Sequence, residues 1–444
     1  MEKSFYHSLP NRRMPMTRTM KDSGVEWIRE IPVDWERTSL LNNLRTFITD
    51  GPHETPKLVD AGIPFISVDS LNDSEDIDLS VVKKFISKED YNLYQKKTHL
   101  EKGDILFSKS ATIGKTAILK SEKCMVWSPI AVIKPNNERC LTKYLYYILN
   151  CENAIKYASL QGSYNTQINL GMRTLEKIYV PVPPLSEQQK IAAFLDEKCG
   201  AIDEIISKTE QSIEEYKKLK QSVITKAVTK GIRPNRPMQD SNIEWIGEIP
   251  TDWNVRKIFQ LFNQVKNKNI GMTENNLLSL SYGKIKKKNI ETSFGLLPES
   301  FETYNIIEKD DIVLRLTDLQ NDHRSLRVGL CKERGIITSA YVTIRLKDKQ
   351  YAPYLYYLLH TFDIKKGFYG MGDGVRQGLN WDELKHLSLV LPLFDEQKEI
   401  ADYLDEKCAE IDTLIEKKQQ FLSEMANYRK SLIYEYVTGK KEVA

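Results

Sequence analysis

Gly114-Lys115-Thr116 has the residue types that close a phosphate-binding loop, where glycine lets backbone N–H groups approach the anion and lysine reaches the outer phosphates. The position that should hold the first glycine is Lys109, and the second half of the chain does not repeat the pattern, so no nucleotide site is expected. Asp196-Glu-Lys198 and Asp405-Glu-Lys407 match the acid-x-lysine end of a metal-nuclease motif. Both fall within expected long helices without a matching upstream acid on a strand, and they read as solvated faces. Histidines 7, 53, 99, 323, 360 and 386 are scattered without ligand spacing, and Gly370, Gly372 and Gly374 are wrongly spaced for a dinucleotide loop. No Asn-Pro-Pro-aromatic motif for amino-methyl transfer is present. Cys124, Cys140, Cys151, Cys199, Cys331 and Cys408 lack CxxC spacing and are expected to be reduced, buried thiols. The chemistry expected of the chain is therefore binding, with no catalytic or metal residues and no cofactor of its own.

The residues best suited to binding sit in loops. Asn, Gln, Arg, Lys and His at loop tips can pair with base edges, and glycines let backbone come close to phosphate. In the first half the candidates are His53 and Lys57 in Gly51–Lys57, then Ser108, Lys109 and Lys115, then Tyr164, Asn165 and Gln167. In the second half they are Arg315, then Gln320, Asn321, His323, Arg324 and Arg327 in the polar run Asp318–Arg327, then Arg376 and Gln377 beside the glycine-rich stretch. The flanking segments mix short β-like runs (Ile63–Val68, Gly103–Phe107, Ile130–Ile133; Leu277–Leu280, Asp311–Leu314, Ala340–Ile344) with helices over Thr142–Leu149 and Ala352–His360. The spacing predicts two α+β domains with irregular sheets.

What positions these loops is a duplicated frame. Asp22–Trp35 (DSGVEWIREIPVDW) returns at Asp240–Trp253 (DSNIEWIGEIPTDW) with ten identities in fourteen, and Glu187–Cys199 (EQQKIAAFLDEKC) returns at Glu396–Cys408 (EQKEIADYLDEKC) with nine in thirteen. Between these blocks the sequences differ freely, although Tyr144-Leu-Tyr-Tyr147 and Tyr354-Leu-Tyr-Tyr357 keep them in register. A scaffold repeated with two diverged faces suits a protein that reads two different things at a fixed distance.

Each frame ends in a long helix. Pro183-Pro184 and Pro392 precede its start, Ser186 or Asp395 is expected to cap it, and Glu187 or Glu396 suits the helix dipole. A 4,3,4,3 spacing runs from Leu195 to Ala227 and again, 209 residues on, from Leu404 to Tyr436. Eight of ten positions are apolar in each run, and the interruptions coincide: Thr209 with Lys418, and Lys220 with Arg429. That is a period-3.5 seam, which predicts that the two helices, each about 60 Å long, pair as a coiled coil with Lys220 and Arg429 snorkelling. Gly231 and Gly439 would cap the ends, and the Pro-rich Lys230–Pro237 reads as the linker.

Composition narrows the class further. The net charge of +3 is mild, and Asp22–Val180 carries 20 basic against 21 acidic residues, with 21 against 19 over Asp240–Leu391. A nucleic-acid footprint would be local to one face. Basic residues gather in the leader (Arg12, Arg13, Arg18, Lys21) and at Lys284–Lys288, readable as a solvated tail and turn or as charge for a partner. No apolar run approaches the roughly 20 residues that span a bilayer, and the first residues lack a signal-peptide core, so a cytoplasmic protein with no membrane partner is expected.

The EWIxEIPxDW openings, the Pro-Pro-Leu-Ser-Glu-Gln-Gln and Pro-Leu-Phe-Asp-Glu-Gln boundaries, the Leu-Asp-Glu-Lys-Cys continuations and the closing Ala-Val-Thr-Lys-Gly231 and Tyr-Val-Thr-Gly439 resemble the specificity subunit of type I restriction-modification systems. The resemblance covers all but the first twenty or so residues. It implies an α+β chain of two globular target-recognition domains, separated by two long helices paired as an antiparallel coiled coil, with a pseudo-two-fold internal repeat. The corresponding segments are a basic leader (1–21), the first recognition domain (22–182), the central helix (183–230), a linker (231–239), the second recognition domain (240–391) and the C-terminal helix (392–444). It also implies partners: double-stranded DNA, two modification subunits that bind S-adenosylmethionine, and restriction subunits that use ATP and Mg. A coiled-coil scaffold binding proteins without reading DNA is the alternative that near-neutral domain charge would favour.

Overall fold

The computed structural model describes residues 18–71, 75–110, 112–121, 123–161, 163–164, 168–288, 298, 300–319, 326–348, 350–371 and 378–443. It falls into two compact units: one gathers the chain up to Lys208 and from Phe421 onward, the other Thr209–Gln420. Each long helix, Leu185–Lys230 and Phe394–Val437, therefore contributes one part to each unit.

Both units are built around the same four-stranded antiparallel sheet. In the first unit the order is Thr49–Asp50, Ile130–Ile133, Ile105–Ser108, Thr116–Ile118, and in the second Phe262–Gln264, Val342–Leu346, Ile312–Leu314, Val328–Leu330. The inner strands Ile105–Ser108 and Ile312–Leu314 are wholly buried, as expected of apolar runs covered on both faces. Helices Thr142–Leu149 and Ala352–Ile364 form where expected and carry the repeated tyrosines into the cores.

The repeated blocks are repeated because they bond to one another. The Trp35 indole N–H donates to Glu187 at 3.0 Å, and that of Trp253 to Glu396 at 3.2 Å. Arg18 bridges Asp34 and Glu187, and Arg236 bridges Asp252 and Glu396. The Gln188 side chain accepts from Leu141 N–H and donates to Pro183 C=O; Gln397 does the same with Tyr351 and Pro392. The Tyr144 hydroxyl donates to the carbonyls of Pro181 and Val437, and the Tyr354 hydroxyl to those of Val390 and Val228. Buried polar groups need such partners, so each tryptophan, glutamate and tyrosine constrains the others.

Within each unit the helix parts run antiparallel. In the first, the Phe194 ring lies 4.4 Å from that of Tyr436, and Arg429 pairs with Asp203 at 2.9 Å. In the second, Lys220 pairs with Asp412 at 2.7 Å, and the Lys418 ammonium lies 5.6 Å from the Tyr216 ring. All twenty seam positions are buried or half-buried.

Three expectations are corrected. Lys220 and Arg429 do not simply snorkel, because each meets a carboxylate on the facing helix. Ser186 and Asp395 lie inside the helices, which begin at Leu185 and Phe394, so Pro184 and Leu393 hold the cap positions. Arg18 and Lys21 belong to the frame rather than to a solvated tail: Lys21 donates to Val33 C=O, and Met20–Asp22 pairs with Glu30–Pro32. Arg12 and Arg13 lie outside the described residues.

Candidate nucleic-acid interface

At the C-terminal end of the inner strand the two units share one geometry and differ in what they hang on it. Ser108 N–H donates to Lys115 C=O and Arg315 N–H to Arg327 C=O, both at 2.9 Å, closing a loop after the strand. Six residues lie inside the first loop and eleven inside the second. One residue further on, Lys109 C=O accepts from Leu170 N–H at 2.8 Å, and Leu316 C=O from Leu379 N–H at 2.9 Å. The strand loop is thereby held beside the segment that follows Gly162–Gln167 in the first unit and Gly370–Gln377 in the second. In the first unit Gly51–Lys57 joins them: Asp50 pairs with Ala131, and Ser128 N–H donates to Pro52 C=O. Gly51 is required there, since a Cβ would fall 1.8 Å from Val126 O.

The structure separates the candidates into groups. His53 and Lys57 are exposed on the Gly51–Lys57 loop, with His53 Nε2 3.2 Å from Asp50 Oδ2, while Lys115 and Arg315 are half-buried at the loop bases. Three candidates are withdrawn into the protein. The fully buried Ser108 hydroxyl donates to Thr112 C=O at 2.5 Å and accepts from Lys115 N–H at 2.8 Å, closing its own turn. Lys109, 7% exposed, faces Asp50 at 3.4 Å. Arg327, 0% exposed, spreads its guanidinium over the carbonyls of Arg315, Thr317 and Asp318 and the Tyr369 hydroxyl. It shapes the loop rather than presenting itself to a base. Tyr164 lies in strand Ser163–Tyr164, paired with Ile168–Asn169. Asn165, Gln167, Gln320, Asn321, His323, Arg324, Arg376 and Gln377 lie outside the described residues.

Several residues at this edge were missed. Asp50, 1% exposed, gathers His53, Lys109 and the exposed Lys97, whose Nζ lies 3.6 Å away. At the opposite end of each inner strand sits an ion pair, Asp104 with Lys134 at 2.6 Å and Asp311 with Arg345 at 2.7 Å. Burial pushes the Asp104 carboxyl up, and Lys134 holds the neighbouring Glu101 below its usual range. The parallel runs Glu101-Lys-Gly-Asp-Ile-Leu106 and Glu308-Lys-Asp-Asp-Ile-Val313 carried that signal.

The catalytic look-alikes are structural. Lys115 leads into the strand Thr116–Ile118 rather than a helix, and Gly114 is a turn residue (φ +99°) whose Cβ would strike Ile155. Asp196 accepts from the Tyr147 hydroxyl at 2.6 Å and from Lys143 at 2.9 Å, and Asp405 from the Tyr357 hydroxyl at 2.6 Å. These acids tie the long helices to the tyrosine helices. All six cysteines are free and buried, and burial pushes Cys140 up to about 12 and Cys199 and Cys331 to about 11, far from a reactive thiolate. No described helix is long and apolar enough to cross a membrane.

Residues 41–215 and 250–423 match the type I restriction modification DNA specificity domain. The chain belongs to that family: it is a specificity subunit, a class with no catalytic role of its own. Among curated relatives it is similar to the putative type I restriction enzyme MjaX specificity subunit of Methanocaldococcus jannaschii, with 28% identity over 94% of this chain and 96% of that one. The MjaVIII specificity subunit of the same organism is 24% identical over 93% and 94%. Among solved structures, a chain from a study of complex assembly and conformational transition of the type I R-M system aligns with TM-score 0.65 at 13% identity, covering 92% of this chain and 98% of that one. The HsdS subunit from Thermoanaerobacter tengcongensis aligns with TM-score 0.50 at 13% identity, covering 93% and 98%.

Proposed function

We propose that each unit reads one half of a bipartite site in double-stranded DNA through the loops at the end of its inner strand. The observation that carries this is the pair of closures Ser108–Lys115 and Arg315–Arg327, where one frame presents loops of different length and composition. In the first unit His53, Lys57, Lys115, Tyr164, Asn165 and Gln167, joined by Lys97, supply donors and acceptors to the bases or the backbone. In the second, Arg315, Gln320, Asn321, His323, Arg324, Arg376 and Gln377 do so, with Arg327 holding the loop in shape. Since whole-domain charge is near neutral, affinity comes from this edge and from partner subunits.

The catalytic steps belong to partners. Two modification subunits, one for each recognition domain, dock on the helix faces that carry Glu197, Lys198, Glu406 and Lys407, and they bring S-adenosylmethionine. Restriction subunits bring ATP and Mg, and the complex works in the cytoplasm. Sequencing methylated adenines in a strain with and without this gene tests the reading. A split motif that disappears with the gene is expected, and an unchanged methylome would refute it. A co-expressed complex holding a single modification subunit would refute the two-partner part.

A further inference from the structure

In the second unit, strands Leu278–Ser281 and Lys284–Lys287 form a hairpin closed by two residues, Tyr282 and Gly283, at φ of 47° and 73°. A turn left-handed at both positions matches the twist of its strands and prefers Asn-Gly. Here the first position is a tyrosine, 74% exposed, held outward in a conformation that disfavours it. Strand alternation sends Leu278, Leu280 and Ile285 into a small core with Ile307 and Val313, and sets Ser279, Ser281, Lys284 and Lys286 on the opposite face. Lys288 continues that face, exposed like Lys284 and Lys286. Lys287, on the inner side, is neutralised by Glu333 at 2.8 Å. Among the described residues the other three lysines meet no carboxylate. The hairpin is anchored at the reading edge, because Gly283 N–H donates to Leu326 C=O at 3.1 Å, and the next residue is the loop-shaping Arg327.

We infer that this face binds the phosphate backbone of double-stranded DNA flanking the half-site of the second unit. Lys284, Lys286 and Lys288 neutralise phosphates, and Tyr282 packs on the sugar edge. The inference rests on the proposed reading of half-sites and adds a sequence-independent clamp to it. Its charge calls for a polyanion, and its anchor places it beside the loop already assigned to DNA.

The test is a salt titration of DNA binding by the full chain assembled with its modification subunits, comparing wild type with the Lys284→Gln/Lys286→Gln/Lys288→Gln variant. Losing three phosphate contacts should make the slope of log affinity against log salt shallower by about 2.7. Between 50 and 200 mM salt, wild type should then lose about 40-fold more affinity than the variant. The change should be equal on DNA with and without the target, and the methylated motif should stay the same. Tyr282→Asn, which suits the turn and keeps the hairpin, should weaken binding and leave the slope alone. An unchanged slope in the triple variant overturns the clamp while leaving half-site reading intact. An altered motif overturns it differently, by making the lysines base readers. Failure of wild type itself to bind its motif would instead sink the reading beneath.

Discussion

Glu396→Ala should destabilise the second unit more than Glu187→Ala destabilises the first. Glu396 is 3% exposed and accepts both the Trp253 indole N–H and the Arg236 guanidinium. Removing it leaves a buried donor without a partner and an arginine held only by Asp252, itself 52% exposed. Breaking a buried pair from one side costs about 3–5 kcal/mol, and the surviving Asp252 contact argues for about 3. The Glu187 side chain is 21% exposed, so water compensates part of the loss and about 1–2 kcal/mol is expected. For a unit of this size each kcal/mol moves the Tm by about 2–4 °C, giving a fall of about 6–12 °C for Glu396→Ala. Glu396→Gln keeps an acceptor for the indole and should cost about half as much. Urea and thermal unfolding followed by tryptophan emission report the change. A cost below about 1 kcal/mol for Glu396→Ala, or a larger one for Glu187→Ala, would show that the repeated Trp–Glu contact does not hold the frame together.

Two further outcomes follow from buried groups. His360, stacked on Tyr356, has its pKa lowered by burial and by Lys220 from 6.5 to about 4. The unfolded chain therefore binds its proton first, and the stabilising contribution is complete above pH 6.5 and fades as pH falls toward 4. At pH 5.5 the expected loss is about 1.4 kcal/mol relative to pH 7.5, and a pH series of urea unfolding should find it absent in His360→Gln. Arg327→Lys keeps the charge but not the fork that spans three carbonyls. Methylome sequencing should show the second half-site blurred and the first unchanged, whereas a motif intact in both halves would mean that Arg327 does not shape the reading loop.

The frame was legible because its parts are repeated at fixed offsets. The seam from Leu195 to Ala227, the tyrosine helices and the inner strands all reflect burial, and burial writes periodicity into a sequence. The extension upstream was also written there, as Arg18-Thr-Met-Lys-Asp22 against Arg236-Pro-Met-Gln-Asp240, but with too few shared residues to stand out. The reading edge was less legible. Ser108, Lys109 and Arg327 have the residue types of a base contact, yet a turn-closing hydroxyl or a carbonyl-gripping guanidinium has the same type. Only the path of the chain distinguishes them, since it turns these side chains inward and leaves His53, Lys57 and Lys97 outside. Only His53 lies near Asp50 in the sequence, and Lys97 and Lys109, which complete the three basic groups around it, come from separate segments. Both long helices start two residues earlier than the capping residues suggested, a common uncertainty at helix ends.

Whether one frame carries two independent readers is decided by the methylome of a strain whose chain has Glu36–Val180 replaced by the corresponding segment of a relative with a different target. The replaced segment takes every candidate DNA-contacting loop of the first unit and leaves Trp35, Glu187 and the second unit in place. One half of the methylated motif should change while the other half and the spacing between them are kept. A change in both halves, or in neither, would contradict independent reading.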